Sequence, residues 1–230
     1  MTHIREKLNM AIIASTPSAN ASTYSILEDD VYPARLVKIV FLGSQPQKPF
    51  EGKEKPDAVK ARITYEIIGE TTTQTNKDGE EKELTCILGE TITVPPGGRS
   101  MGKMFDLLDT ILGAKETFAD TDDYQQLLNK PVNLQVDNYT TKYGNHNGIK
   151  AVTALGKKAA AGLAEAVTKQ EFFCPYTNSD EMKLLWSQLQ NYQQDIIKAA
   201  SDKQYIPAVA ESWPREEVKA DEQDKDDYEF

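Results

Sequence analysis

YPARLVKIVFLGSQPQKPFEGKEKPDAVKARITYEI, residues Tyr32–Ile67, is the stretch around which this chain reads. Two apolar runs, Ala34–Leu42 and Val59–Ile67, have the alternation and β-branched content of strands. Between them lies a loop in which Pro46 and Pro49 flank Gln47-Lys48, followed by the basic, glycine-containing run Glu51-Gly-Lys-Glu-Lys55. From Pro33 to Arg62 the cations Arg35, Lys38, Lys48, Lys53, Lys55, Lys60 and Arg62 face only Glu51, Glu54 and Asp57, a net of +4 in a chain whose formal charge is −10. Tyr32, Phe50 and Tyr65 accompany this basic island. Together they describe a surface for a polyanion with stackable rings, a description that single-stranded nucleic acid fits.

A length of 230 residues allows one domain with extensions or two small domains. Hydrophobic content of 39% and a mean hydropathy of −0.55 describe a polar, soluble protein. No apolar run approaches the roughly 20 residues that span a bilayer, so no membrane role is expected. Met10-Ala-Ile-Ile-Ala14 is too short for the core of a secretory signal. Cys86 and Cys174 are far apart and read as reduced thiols, which points to the cytoplasm. The sequons at Asn20 and Asn138 are then chance matches. The acidic charge is concentrated: Glu211–Phe230 holds nine acidic and three basic residues, a net of −6, and the other 210 residues carry −4.

Taken in order, residues 1–28 show no sustained period and read as a flexible arm. Strands follow at Tyr32–Leu42, at Val59–Ile68 and, after a polar hairpin loop over Gly69–Lys82 with the turn signal Asn76-Lys-Asp-Gly79, at Glu83–Val94. Ser100 is placed to cap a helix whose stripe is Met101, Met104, Phe105, Leu108, Ile111 and Leu112, with Gly113 as its stop. A helical turn over Asp122–Asn129 precedes strands at Val132–Val136 and Ile149–Ala154, joined by the loop Asn138–Asn147. The order β-β-β-α-β-β is that of a five-stranded oligonucleotide-binding (OB) barrel, whose 1–2 and 4–5 loops bind ligand. Here the first of these loops is the basic stretch, and the second carries Tyr139, Lys142, Tyr143 and His146.

The expected division is therefore an arm over 1–28, an OB domain over 29–156, a spacer and helix over 157–206 and an acidic disordered tail over 207–230. In the third segment Lys157–Gln170 is an Ala-rich spacer and Glu171–Thr177 an aromatic patch. A helix over Asp180–Ala200, capped at Asn178 with Glu181 three residues on, carries the seam Met182, Leu185, Leu189, Tyr192 and Ile196. Pro207 and Pro214 mark a linker.

Catalysis finds little support. Gly97-Gly-Arg-Ser-Met-Gly102-Lys103 matches G-x-x-x-x-G-K, but Met104 stands where a P-loop needs Ser or Thr for Mg²⁺. Arg99 and Lys103 could still meet phosphate at the helix start. His3 and His146 have no nucleophile or metal-ligand context, and the two isolated cysteines give no metal spacing. The chain reads as a non-enzyme that needs no cofactor and no metal.

Several stretches resemble the OB-fold single-stranded DNA-binding proteins of tailed bacteriophages: Tyr32-Pro-Ala-Arg-Leu-Val, Leu42-Gly-Ser-Gln, Phe50-Glu-Gly-Lys-Glu-Lys-Pro, Ile63-Thr-Tyr-Glu, Leu128-Asn-Lys-Pro-Val and Gly148-Ile-Lys-Ala-Val. The resemblance covers about residues 30 to 155. The terminal Asp226-Asp227-Tyr228-Glu229-Phe230 is similar to the acidic, Phe-ending tails of bacterial and phage single-strand binders. It implies a role in DNA replication, recombination and repair within an infected bacterial cell, with polymerase, helicase or primase recruited by the tail. The expected ssDNA-contacting residues are Tyr32, Arg35, Lys48, Phe50, Lys53, Lys55, Lys60, Arg62, Tyr65, Tyr139, Lys142 and Tyr143. A homo-oligomer is left open. The rival reading is a non-catalytic adaptor whose OB-like barrel binds protein.

Overall fold

Leu36-Val-Lys-Ile-Val-Phe-Leu42 is apolar at six of seven positions, the pattern of a strand covered on both faces. In the computed structural model, which describes residues 23–75, 79–95, 102–113, 121–142 and 144–214, this run is the middle of the central strand, and its six apolar side chains are all buried. The elements are β1 (Thr23–Tyr24), β2 (Asp30–Gln45), β3 (Ala58–Thr75), β4 (Glu81–Thr93), α1 (Lys103–Leu112), a 3-10 turn (Asp122–Leu127), β5 (Pro131–Thr141), β6 (Gly144–Ala154), α2 (Lys157–Gly162), β7 (Glu171–Phe173), α3 (Asp180–Gln188), α4 (Asn191–Lys198), a second 3-10 turn (Lys203–Tyr205) and α5 (Pro207–Ala210).

The expected β-β-β-α-β-β order holds for β2, β3, β4, α1, β5 and β6. These strands form a mainly antiparallel sheet in which β2 pairs with β3 and β5, β3 with β4, and β5 with β6. The sheet is open: β4 and β6 both touch α1 and come near each other but share no ladder among the described residues. Inward, Leu36, Ile39 and Phe41 of β2 oppose Tyr65, Ile63 and Ala61 of β3, and Met104, Leu107 and Leu108 of α1 join them in one buried cluster. Two bulges bend β2, between Leu36 and Lys38 and between Phe41 and Ser44. Gly43 sits in the second at φ 76°, where a Cβ would come within 2.8 Å of the Ala200 side chain.

The outer face of β2 is covered by the part of the chain that follows the sheet. Arg35 and Glu66 are direct cross-strand partners on this face, and both are buried. Arg35 donates through Nε to the Ala164 carbonyl (2.8 Å), through Nη2 to that of Leu163 (2.9 Å) and through Nη1 to that of Asn129 (2.7 Å). Glu66 accepts from the N–H groups of Val167 (2.8 Å) and Thr168 (2.6 Å). Segment 163–168 is thus strapped across the sheet by one cation and one anion. Beyond it, β7 pairs in parallel with β2, Lys38 to Glu171 through Val40 to Phe173. Phe172, Trp186, Ile197, Ile206 and Trp213 enter the same core. The segments expected as a spacer, a helical extension and the start of a tail therefore complete the sheet's packing as far as Trp213.

Four local expectations are corrected. The polar loop over Gly69–Lys82 is largely ladder, because Thr71–Thr75 pair with Glu81–Thr85, and β-branched threonines favour the extended chain despite their polarity. The Asn138–Asn147 loop is likewise hairpin, with Asn138 paired to Asn147 and Thr141 to Gly144. The single helix over Asp180–Ala200 is two, broken where Leu189 and Gln190 adopt ψ of 143° and 146°. Buried Gln194 stabilises the break by donating to the Trp186 and Leu189 carbonyls, and Ser179 rather than Asn178 caps α3 by accepting from the Met182 N–H. At α1 the N-cap is Gly102, whereas Ser100 and Met101 lie outside the described residues, as do Asn76, Lys77 and Asp78 of the expected turn. Gly113 ends α1 in the left-handed conformation as expected. Among the described residues no helix is long and apolar enough to cross a membrane.

The strap makes an acid-sensitive contribution. Burial alone would raise the Glu66 carboxyl, but hydrogen bonds from the Thr168 side chain and from the N–H groups of Val167 and Thr168 outweigh it and hold the group below its ordinary value. A carboxyl lowered by folding stabilises the fold above its unfolded pKa and ceases to do so as pH falls through the folded one. Glu66→Gln should cost about 1.5–3 kcal/mol at pH 7 in urea unfolding. The gap between variant and parent should narrow as pH falls below the usual carboxylate range; a pH-independent gap would contradict the strap's assigned chemistry.

Candidate nucleic-acid interface

The loop between β2 and β3 is built rather than slack. Gln47 closes its base by donating Nε2–H to the Pro56 carbonyl (2.6 Å), and Phe50 and Lys53 exchange both backbone hydrogen bonds at 2.9 Å across its tip. The two residues between them, Glu51 and Gly52, have φ of 51° and 75°, which makes a two-residue turn of type I′. The turn holds Phe50 out at 60% exposure, with the Lys55 ammonium 4.7 Å from its ring centroid. Lys60 lies where β3 begins, donating to the Thr93 hydroxyl at 2.8 Å. Burial pushes its ammonium below the ordinary value, and the neighbouring Lys55 pushes it the same way. Among the described residues no ion pair joins Lys48, Lys53, Lys55 or Lys60 to a carboxylate.

Arg62 follows Lys60 on the same face of β3, two residues on. A Cβ built at Gly89 of β4 would lie 3.0 Å from Nε, Cζ and Nη2 of Arg62 alike. Three equal distances place the guanidinium face-on over the glycine. Tyr139 is held in a similar way on the β5–β6 hairpin. Its ring stacks on the cross-strand His146 at 5.5 Å and 26°, and a Cβ at Gly148 would lie 3.0 Å from its Cε1.

The other expected contacts divide. Arg35 spends its guanidinium on the strap, with Glu165 at 3.3 Å, and Tyr65 is fully buried inside the sheet; neither presents a surface. The reason in both cases is position: Arg35 faces the covered side of β2, and Tyr65 alternates with Ile63 and Ile67 into the core. Lys38 is paired with Glu171 at 2.8 Å, so Arg35 and Lys38 of the basic island both serve internal contacts. Tyr32 is half-buried and donates to the Glu28 carbonyl at 3.0 Å; burial raises its phenol above the ordinary value, with Asp30 next in effect. Lys103 of the P-loop-like stretch opens α1 and pairs with Glu90 at 3.1 Å. Lys142 lies at the hairpin tip, while Tyr143, Arg99 and the tail Asp226–Phe230 fall outside the described residues.

Register separates the two clusters. β5 pairs with Asp30–Arg35, the first part of β2, and runs towards its start, whereas loop 46–57 leaves from its end. The loop cluster of Lys48, Phe50, Lys53, Lys55, Lys60 and Arg62 and the hairpin cluster around Tyr139 therefore sit at opposite ends of β2. Gly89 and Gly148 escaped notice in the sequence, although glycine inside a strand pattern is the signal of a close approach. Comparison with protein-family models and with curated proteins finds no match for this chain.

The tip turn carries backbone strain at Glu51, since a left-handed residue with a side chain costs roughly 1–2 kcal/mol unless it is Gly or a local hydrogen-bonder such as Asn. Glu51→Asn should therefore stabilise the protein by on the order of 0.5–1 kcal/mol in equilibrium unfolding, with the type I′ turn kept. A destabilised variant would contradict the assigned turn.

Proposed function

We propose that this chain is a non-enzymatic single-stranded DNA-binding protein, built on an OB-like arrangement of β2–β6, whose loop cluster engages the strand without regard to sequence. The observation that carries the reading is that the loop exposing Phe50 holds Lys48, Lys53 and Lys55, with Lys55 against the ring and Lys60 where β3 begins, and that no carboxylate is paired to any of these lysines among the described residues. Burial and, after it, the neighbouring Lys55 ammonium lower the basicity of Lys60, and a phosphate would relieve the like-charge part of that cost. Arg62, flat over Gly89, adds a planar cation on the adjoining face. One ring with backbone-tracking lysines is the composition of a sequence-tolerant strand site, in which stacking contributes about 1–3 kcal/mol per base.

The wider role follows from the sequence resemblance: coating exposed strands in phage replication, recombination and repair, with the tail Asp226–Phe230 offering carboxylates and a terminal ring to replication proteins.

Fluorescence anisotropy of a labelled dT oligonucleotide, competed with duplex at two salt concentrations, tests the reading. Tight binding is expected that duplex fails to displace and that weakens with salt, with a log–log slope near −0.7 per phosphate neutralised. Lys53→Ala and Lys55→Ala should each flatten that slope by roughly 0.7. Phe50→Ala should cost about 1–3 kcal/mol while leaving the slope in place. Absence of binding at low salt would overturn the proposal and favour the protein-binding adaptor.

A further inference from the structure

Lys60 and Thr93 are direct cross-strand partners where β3 begins and β4 ends. Their neighbours Ala61 and Ile92 are paired and buried, so Lys60 and Thr93 share the opposite, outer face of the sheet. The Lys60 ammonium donates one of its three N–H groups to the Thr93 hydroxyl oxygen at 2.8 Å. With that oxygen accepting, the hydroxyl proton is left to be donated elsewhere, and among the described residues it meets no acceptor. The other two Lys60 N–H groups meet none either. A second ammonium belongs to the same corner. Lys55 lies 4.7 Å from the Phe50 ring centroid and close enough to Lys60 to add to the lowering of basicity that burial begins.

The chemistry of this corner is one-sided. It offers donors from two ammonium groups and a hydroxyl, while the loop's acids Glu51, Glu54 and Asp57 pair with neither lysine among the described residues. Donors gathered without an acceptor fit an anion, and charge-assisted hydrogen bonds to phosphate oxygens are the strong ones. Lys60 also differs from Lys48 and Lys53, which are exposed on the loop: it is half-buried on a strand and tied to a strand neighbour. Its ammonium is therefore restrained before any ligand arrives, which lowers the ordering cost of binding.

We propose that Lys55, Lys60 and Thr93 form a seat for one phosphate group of the strand, and that Phe50 stacks a base next to that phosphate. Lys55 serves both parts, since its ammonium meets the ring and neighbours Lys60. Thr93 is a positioning residue as well as a donor: it fixes the Lys60 ammonium and turns its own hydroxyl proton outward. Phosphate is common to every nucleotide and every base has a face to stack, so such a unit is indifferent to sequence. The inference rests on the single-strand reading and deepens it, replacing a general attraction between loop and strand with one fixed nucleotide unit and bringing in a hydroxyl of β4.

The test measures, over a salt series, the affinity of the full chain for a labelled dT oligonucleotide and for an abasic strand of equal length. The variants are Lys60→Gln, Thr93→Val, the two combined, and Phe50→Ala, with thermal melts to confirm folding. Lys60→Gln should flatten the log–log salt slope by roughly 0.7 on both strands. Thr93→Val keeps the β-branched shape and removes the hydroxyl; it should weaken binding roughly two- to tenfold, the size of one hydrogen bond, without changing the slope. In the Lys60→Gln background that loss should shrink, because the two residues act as a unit. Phe50→Ala should weaken binding of dT and leave the abasic strand unaffected. Parent protein that binds no dT at low salt would overturn the single-strand reading and the seat with it. Tight, salt-dependent binding with the slope unchanged in folded Lys60→Gln and the affinity unchanged in folded Thr93→Val would overturn the seat alone.

Discussion

Arg35 and Glu66 stand opposite each other on a face of the sheet from which water is excluded, and that placement constrains the rest of the chain. A buried ion left without partners is costly enough that removing one side of such an arrangement typically destabilises by about 3–5 kcal/mol. Here the partners are mostly backbone groups: carbonyls for the guanidinium, N–H groups for the carboxylate. The strap therefore has its direction and register set by charge, and once it crosses at 163–168 the chain is delivered to the edge of β2, where β7 pairs. Asp202 then accepts from the Ser44 N–H and the Tyr176 hydroxyl, fastening the far end of the wrap to the end of β2. The second layer is thus anchored at both ends of its course over the sheet.

Covering β2 on both sides confines any ligand surface to what the second layer leaves open. Lys48, Lys53 and Lys55 belong to loop 46–57, and Lys60 to the start of β3, beyond the reach of the strap. A similar device serves the planar groups at either end of the sheet, where a glycine on the adjoining strand removes the Cβ that would hold the group away. Arg62 on Gly89 and Tyr139 on Gly148 are held against backbone, which restricts their conformational freedom.

The order and approximate position of the five main strands and of α1 were legible because β-branched runs and a 3-4 stripe report local preference directly. Two kinds of information were not. Strand ends that run into polar sequence, such as Thr71–Thr75 and Asn138–Thr141, are decided by pairing across the hairpin rather than by an apolar face. The fate of a cation depends on what covers it: Arg35 and Lys38 look like binding residues in sequence and become internal partners only because a segment 130 residues later folds over them. Leu36–Leu42 is a nearly continuous apolar run, and that continuity, read as continuity rather than alternation, announces the second layer. At the candidate site, the loop's lysines and Phe50 were recognisable by composition, whereas the seats of Arg62 over Gly89 and Tyr139 over Gly148 depend on which strands lie side by side.

A net charge of −10 does not weigh against a polyanion at the loop cluster. Surface charges are screened over about 8 Å at physiological ionic strength, so a strand approaching Lys53 and Lys55 responds to charges within a few residues of them. The acids Glu28, Asp29, Asp30 and Asp137 lie at the other end of β2, a 16-residue strand whose contour is on the order of 50 Å. The two ends of β2 thus differ in charge, with lysines on the loop at its end and a group of acids around its start.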